Sequence, residues 1–189
     1  MTTTRSSPAG RRWHRPGPHI VVMGVTGAGK STVARAIADR AGAPFLDADD
    51  LHPPANRRKL AAGEPLTDED RWPWLAAVRD RMGDHDHSCG PGAPGPFRGL
   101  VVACSALRRA YRDVLREVGR PVFFAELGTD AELISARLAA RRGHFASARI
   151  LGSQIHTLEP LGADELGMIC PISRPADEIA RDVLAALAL

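Results

Sequence analysis

Residues 24–31 read Gly24-Val25-Thr26-Gly27-Ala28-Gly29-Lys30-Ser31, the pattern GxxxxGKS. The spacing suits a phosphate chain. Glycines let the backbone curl so that successive N–H groups point inward at phosphate oxygens. The helix expected to start at Lys30 adds the positive end of its dipole. Lys30 supplies a mobile charge to the β- and γ-phosphates, and Ser31 offers a hydroxyl to Mg²⁺. Gly24, Val25, Thr26, Gly27, Ala28, Gly29, Lys30, Ser31 and Thr32 therefore form the candidate nucleotide-binding set, with ATP and Mg²⁺ as the expected ligands.

A second group of reactive side chains follows. Asp47 and Asp49 stand at the end of a short strand pattern, Phe45-Leu46. Carboxyl ends of parallel strands face the ligand crevice. Asp47 is the candidate metal partner of Ser31. Asp49 is placed to orient a substrate hydroxyl or accept its proton as it attacks phosphorus. Cations are dense beyond the acids: Arg57, Arg58, Lys59, Arg71, Arg108, Arg109, Arg137, Arg141 and Arg142. Arg108 lies just past a strand end. Arg141 and Arg142 end a helix where a closing lid could carry a guanidinium onto the transferring phosphate.

These residues need a scaffold. The apolar run His19–Met23 ends at Gly24 and reads as a buried strand. Val33, Ile37 and Ala41 recur at helical spacing until Gly42 and Pro44 stop them. Helices are expected within 53–66 and from about Asp70 through Met82, with Pro73 in the first turn of the latter. The segment 83–99 reads as a Gly/Pro-rich flexible surface loop, in which His85, His87 and Cys89 are solvated rather than zinc-bound. Further strands are expected at 100–104, 121–127 and 168–172. Helices are expected at 107–118, from a Thr129-Asp130-Ala131-Glu132 capping box to about Arg142, and at the C-terminus. Residues 143–165 read as irregular. Trp72 and Trp74 read as core. Alternating strands and helices imply an α/β fold with a parallel sheet covered on both faces.

The 189 residues suit one domain at 19–189. Residues 1–18 hold Arg5, Arg11, Arg12 and Arg15 and no acid, so this leader carries +4 and the rest of the chain −1, which together give the net +3. Its composition reads as disordered, with no nucleic-acid partner. No apolar run approaches the ~20 residues that span a bilayer. Three cysteines without a CxxC pair suggest a reduced, cytoplasmic protein.

Several stretches together resemble the gluconokinases among P-loop small-molecule kinases: MGVTGAGKST, FLDADDLHPPANRRKLAAGEPLTDEDRWPWL, CSALRRAYRDVLR, RLAARRGHF, SQIHTLEPL and ADE. They span 20–166. The resemblance implies ATP-dependent transfer of phosphate to D-gluconate, with Mg²⁺. It implies a three-layer fold of the nucleoside-monophosphate-kinase type, a five-stranded parallel sheet, a substrate region at about 49–82, a mobile lid at about 142–165 and a homodimer. By similarity to the related shikimate kinases, Arg71 after Gly63-Glu64 is assigned to the gluconate carboxylate. His52 and Arg108 are further substrate candidates, Arg141 is the lid arginine, and 173–175 edge the adenine pocket. Open alternatives are a kinase for another sugar acid or shikimate, and a non-catalytic nucleotide switch. The longer 83–99 segment, the arginine-rich leader and Gly152 within the lid depart from the family pattern.

Overall fold

The computed structural model describes residues 17–88, 97–139 and 144–188, with the backbone alone at Ser88 and 144–149. The expected basic leader up to residue 16 lies outside this set. So do residues 89–96 of the Gly/Pro-rich segment, Cys89 among them, and Arg141 and Arg142.

Five strands form one parallel sheet: β1 (His19–Met23), β2 (Phe45–Asp47), β3 (Val101–Ala103), β4 (Val122–Leu127) and β5 (Gly167–Cys170), in the order β2-β3-β1-β4-β5. The helices are α1 (Lys30–Ala41), α2 (Pro54–Ala61), α3 (Asp68–Ser88), α4 (Arg109–Arg116), α5 (Ala131–Ala139), α6 (His144–Thr157) and α7 (Ala176–Ala186). A 3₁₀ turn, Ala48–Leu51, links β2 to α2.

Period-two alternation divides the core into two layers. From β1, Ile20 and Val22 face Ile37 of α1, Ile134 of α5 and Val183 of α7. Val21 and Met23 face Trp74, Leu75, Val78 and Met82 of α3, with Tyr111 and Leu115 of α4. Both faces of β1 are dry, which is why its sequence is an unbroken apolar run. This is the three-layer fold of nucleoside-monophosphate-kinase type.

Several local expectations change. α3 begins at Asp68, not Asp70, and Pro73 lies past its first turn. A Thr67–Asp70 box starts the helix: the Asp70 N–H bonds Thr67 Oγ1 and the Thr67 N–H bonds the Asp70 carboxylate. α3 also continues through residues 83–88, where a loop was expected. There the His87 Nδ1 donates to the Gly83 carbonyl at 2.7 Å, and His85 lies 3.3 Å from the Arg98 carbonyl. Asp130, rather than Thr129, caps α5 by accepting from the Leu133 N–H at 3.0 Å. Finally, residues 144–157 form α6 where an irregular segment was expected. Trp72 is also not core: it is 39% exposed, with its edge against Tyr111.

The chain beyond α6 is tied down by a buried ion pair. Arg112 donates to both Glu165 oxygens at 2.7 Å and to the Glu159 carbonyl at 3.0 Å. Burial raises the Glu165 pKa, but the Arg112 hydrogen bonds outweigh it and leave the carboxyl below its ordinary value. Such a pair locks geometry more than it adds stability.

At the opposite end of the sheet, His19 is fully buried. Its Nδ1 accepts the Leu100 N–H at 3.0 Å, so its Nε2 carries the proton facing Asp86 at 3.2 Å. Arg120 pairs with the same Asp86. Burial pushes the imidazole down from 6.5 to about 4, against the opposing pull of Asp86. A second proton would break the bond from Leu100. The unfolded chain therefore takes up a proton first as the pH falls. His19's contribution to stability is complete above pH 6.5 and declines through the window from 6.5 to about 4, by on the order of 3 kcal/mol. Urea denaturation across that window should show His19→Gln with a correspondingly shallower pH dependence than the wild type.

Candidate active site

The phosphate loop joins the carboxyl end of β1 to α1. Gly24, Gly27 and Gly29 have φ of 140°, 78° and 100°. Gly27 also needs its missing side chain, because a Cβ there would lie 2.9 Å from Leu138 and 3.0 Å from Ile134. No side chain caps the start of α1, so its first N–H groups are left to a ligand. Lys30 Nζ donates to the Val25 carbonyl at 3.1 Å within the loop. Thr32 is exposed.

The Ser31 hydroxyl donates to Asp47 Oδ2 at 2.7 Å. A hydroxyl and a carboxylate beside a phosphate cradle are the hard oxygen donors that Mg²⁺ favours, since this ion keeps several waters and takes few protein ligands. Among the described residues, no group of three or more His, Cys, Asp and Glu could hold a metal ion. Asp47 Oδ1 accepts from the Asp49 N–H at 3.2 Å and so shapes the 3₁₀ turn that carries Asp49.

A cavity of about 210 Å³ opens against this loop. Thr26 and Lys30 of the phosphate loop line it, and so do Asp49, His52 and Arg71. Gln154 of α6 lines it as well. Its amide oxygen accepts the Thr26 N–H at 2.6 Å, which joins α6 to the phosphate loop.

The cavity lining at His52 and Arg71 is held by α2 and α3. Trp74 is buried; its indole N–H donates to the Ala48 carbonyl at 2.7 Å. Its ring stacks on His52 at 4.2 Å and 17°. Burial lowers the His52 pKa, and Arg57 and Arg71 lower it further against Asp49. Lys59 clamps both oxygens of Asp70 at 2.7 Å and so ties α2 to α3.

Arg71 is positioned by a small charged cluster. Asp68 accepts from the Tyr111 hydroxyl at 2.5 Å and from Arg108 at 2.6 Å, and Arg71 lies 3.6 Å from it. Arg71 also donates to the Tyr111 oxygen at 3.2 Å. Burial and the Asp68 bond raise the Tyr111 pKa, so the phenol stays a donor. Arg108 is thus engaged with Asp68 and does not line the cavity itself.

The structure therefore brings together Lys30, Asp49, His52 and Arg71 around one space, and pairs Ser31 with Asp47. Asp68, Tyr111 and Gln154 are site residues that sequence reasoning did not single out. Their signal was present only as position within the TDEDRW, ALRRAYRD and SQIHTLEPL stretches. Near 173–175, Arg174 pairs with Glu178 and Asp182. Arg137 bridges the Ala28 and Ile172 carbonyls and links the phosphate loop to that edge. Burial pushes the Cys104 thiol up to about 12, so it stays protonated beside the site.

A curated gluconokinase from Gluconobacter oxydans is 44% identical over 165 residues, covering 87% of this chain and 85% of its own. The chain belongs to the gluconokinase family. A gluconokinase structure from Sinorhizobium meliloti is 43% identical with a TM-score of 0.76, covering 92% of this chain and 94% of that one. A sugar kinase from Janibacter, solved without ligand, superposes with a TM-score of 0.82 at 41% identity, covering 92% of this chain and 95% of that one. No protein-family model matches the chain. No helix among the described residues is long and apolar enough to cross a membrane.

Tyr111→Phe removes one donor from Asp68 while leaving the Arg108 pair. It should lower stability by about 1 kcal/mol in chemical denaturation.

Proposed function

We propose that the chain catalyses ATP-dependent phosphorylation of D-gluconate to 6-phospho-D-gluconate. The observation that carries this is the shared cavity, which Thr26 and Lys30 of the phosphate loop line together with Asp49, His52 and Arg71. The family membership supports the choice of acid. Gluconate is a small polyhydroxy anion, so it is bound by cations and hydrogen-bonding groups rather than an apolar wall.

In this reading Arg71 takes the carboxylate, for which a planar two-pronged donor is suited. His52 binds a substrate oxygen. Asp49 orients the terminal hydroxyl and accepts its proton as the oxygen attacks the γ-phosphorus. An O–P bond to gluconate forms as the bond to ADP breaks. Lys30 and the amides of the loop offset the negative charge on the transferring group. Ser31 and Asp47 would hold Mg²⁺, which neutralises phosphate charge when bound. Arg108 acts through Asp68 and Tyr111 by fixing Arg71. Arg141, outside the described residues, is the proposed lid cation. A homodimer and a cytoplasmic setting, where ATP and Mg²⁺ are supplied, belong to the same proposal; light scattering would show twice the 20.2 kDa chain mass.

A panel of sugar acids and shikimate, assayed with ATP and Mg²⁺, tests the substrate. Gluconate should be turned over fastest, and brisk turnover of another acid with none of gluconate would overturn the assignment. Lys30→Ala should reduce turnover by about 10³-fold or more with an unchanged unfolding midpoint. Asp49→Asn should lower kcat far more than stability, and near-normal rates would remove Asp49 from the hydroxyl-orienting role.

A further inference from the structure

Asn56 sits on α2, one helical turn beyond His52, and is only 3% exposed. Its side-chain amide has two possible orientations, and one contact decides between them. The atom assigned as Nδ2 lies 2.8 Å from the Asp70 backbone carbonyl. A carbonyl only accepts, so that atom is the NH₂ group. The same NH₂ lies 3.4 Å from His52 Nδ1. With one hydrogen on Asp70, the other faces the imidazole nitrogen. Nδ1 must then present a lone pair, and in a neutral ring the proton resides on Nε2.

Nε2 is the atom that faces Asp49, at 3.8 Å from Oδ1, and His52 lines the cavity. The ring cannot turn freely, because it is stacked on Trp74 and its side chain is 5% exposed. The charged groups facing it are Asp49 from the 3₁₀ turn, Arg57 from α2 and Arg71 from α3. Burial and the two arginines disfavour a second proton, against the pull of Asp49.

We propose that Asn56 is a positioning residue that fixes His52 in its Nε2–H tautomer, so that His52 delivers a directed hydrogen-bond donor to an oxygen of the acceptor beside Asp49. The kinetic consequence rests on the acceptor site proposed above; the tautomer itself does not. With Nδ1 protonated instead, Nε2 would turn a lone pair toward the substrate oxygens and the Asp49 carboxylate. The pocket would then lose a donor and gain an acceptor where the ligand is rich in acceptors.

The experiment has two arms. Long-range ¹H–¹⁵N correlation spectra of the full chain near pH 7.5, with His52 assigned by its loss in His52→Gln, read the tautomer without any substrate. The expected pattern is a protonated Nε2 and an unprotonated Nδ1. A protonated Nδ1, or a doubly protonated ring, would overturn the proposal even if gluconate proves to be the substrate.

The second arm is a double-mutant cycle. Asn56→Asp replaces the NH₂ by an acceptor and draws the proton to Nδ1. It should lower kcat/KM for gluconate on the order of 10–100-fold, with KM for ATP unchanged. His52→Gln presents an amide N–H whose donor does not depend on a tautomer. In that background Asn56→Asp should have little further effect, whereas a purely structural role for Asn56 would give equal losses in both backgrounds and overturn the proposal. If gluconate is not turned over at all, the proposed function fails, and the spectra still decide the role of Asn56. They do so also if Asn56→Asp fails to fold.

Discussion

Two anions must be held against each other in one small space, and their mutual repulsion has to be offset before any phosphate can move. That constraint accounts for most of what surrounds the cavity. On the donor side, the open N-terminus of α1, the curled loop and Lys30 concentrate positive potential. In the proposed reaction Arg71 does the same for the acceptor. A bare arginine would swing with its long side chain. Here Asp68 and Tyr111 hold it, and Arg108 balances the charge that Asp68 introduces. Asp47 and Asp49 differ in their contacts: one bonds Ser31, and the other borders the cavity.

The scaffold meets this constraint by bringing distant segments to one edge of the sheet. β1, β2 and β3 are parallel neighbours, so the loop after β1, the acids after β2 and Ser105 after β3 converge on the same crevice. α3 then supplies both Trp74 beneath His52 and Arg71 beside it. The buried Arg112–Glu165 pair holds the chain that returns from α6, and Gln154 joins α6 to the phosphate loop. Positioning therefore rests on backbone ends and buried polar contacts rather than on flexible surface side chains.

Local signals in the sequence were read well. The β1–loop–α1 unit is legible because glycine spacing, an apolar run and helical periodicity all fall within about two dozen residues. Gly42 closes α1 at a φ of 62°, as the Gly42/Pro44 stop signal implied. Features that depend on partners far away in the chain were not legible. Nothing local distinguishes Asp68 from its neighbours Glu69 and Asp70. Its role comes from Tyr111 and Arg108, forty residues away. Trp74 was read as core, and it is buried, but its face against His52 also makes it part of the site. The helix at 144–157 was hidden by Gly152 and a polar composition. The continuation of α3 through 83–88 was hidden by histidines and acids that were read as loop.

The account requires donor and acceptor to share the cavity with defined orientation, and a crystal structure with gluconate and a non-hydrolysable ATP analogue tests this most directly. The triphosphate should lie along the loop at 24–31, the gluconate carboxylate on Arg71, and the terminal hydroxyl beside Asp49 and facing the γ-phosphate. Gluconate bound outside this cavity, or bound in it with its carboxylate against Asp49 and its terminal hydroxyl on Arg71, would contradict the account.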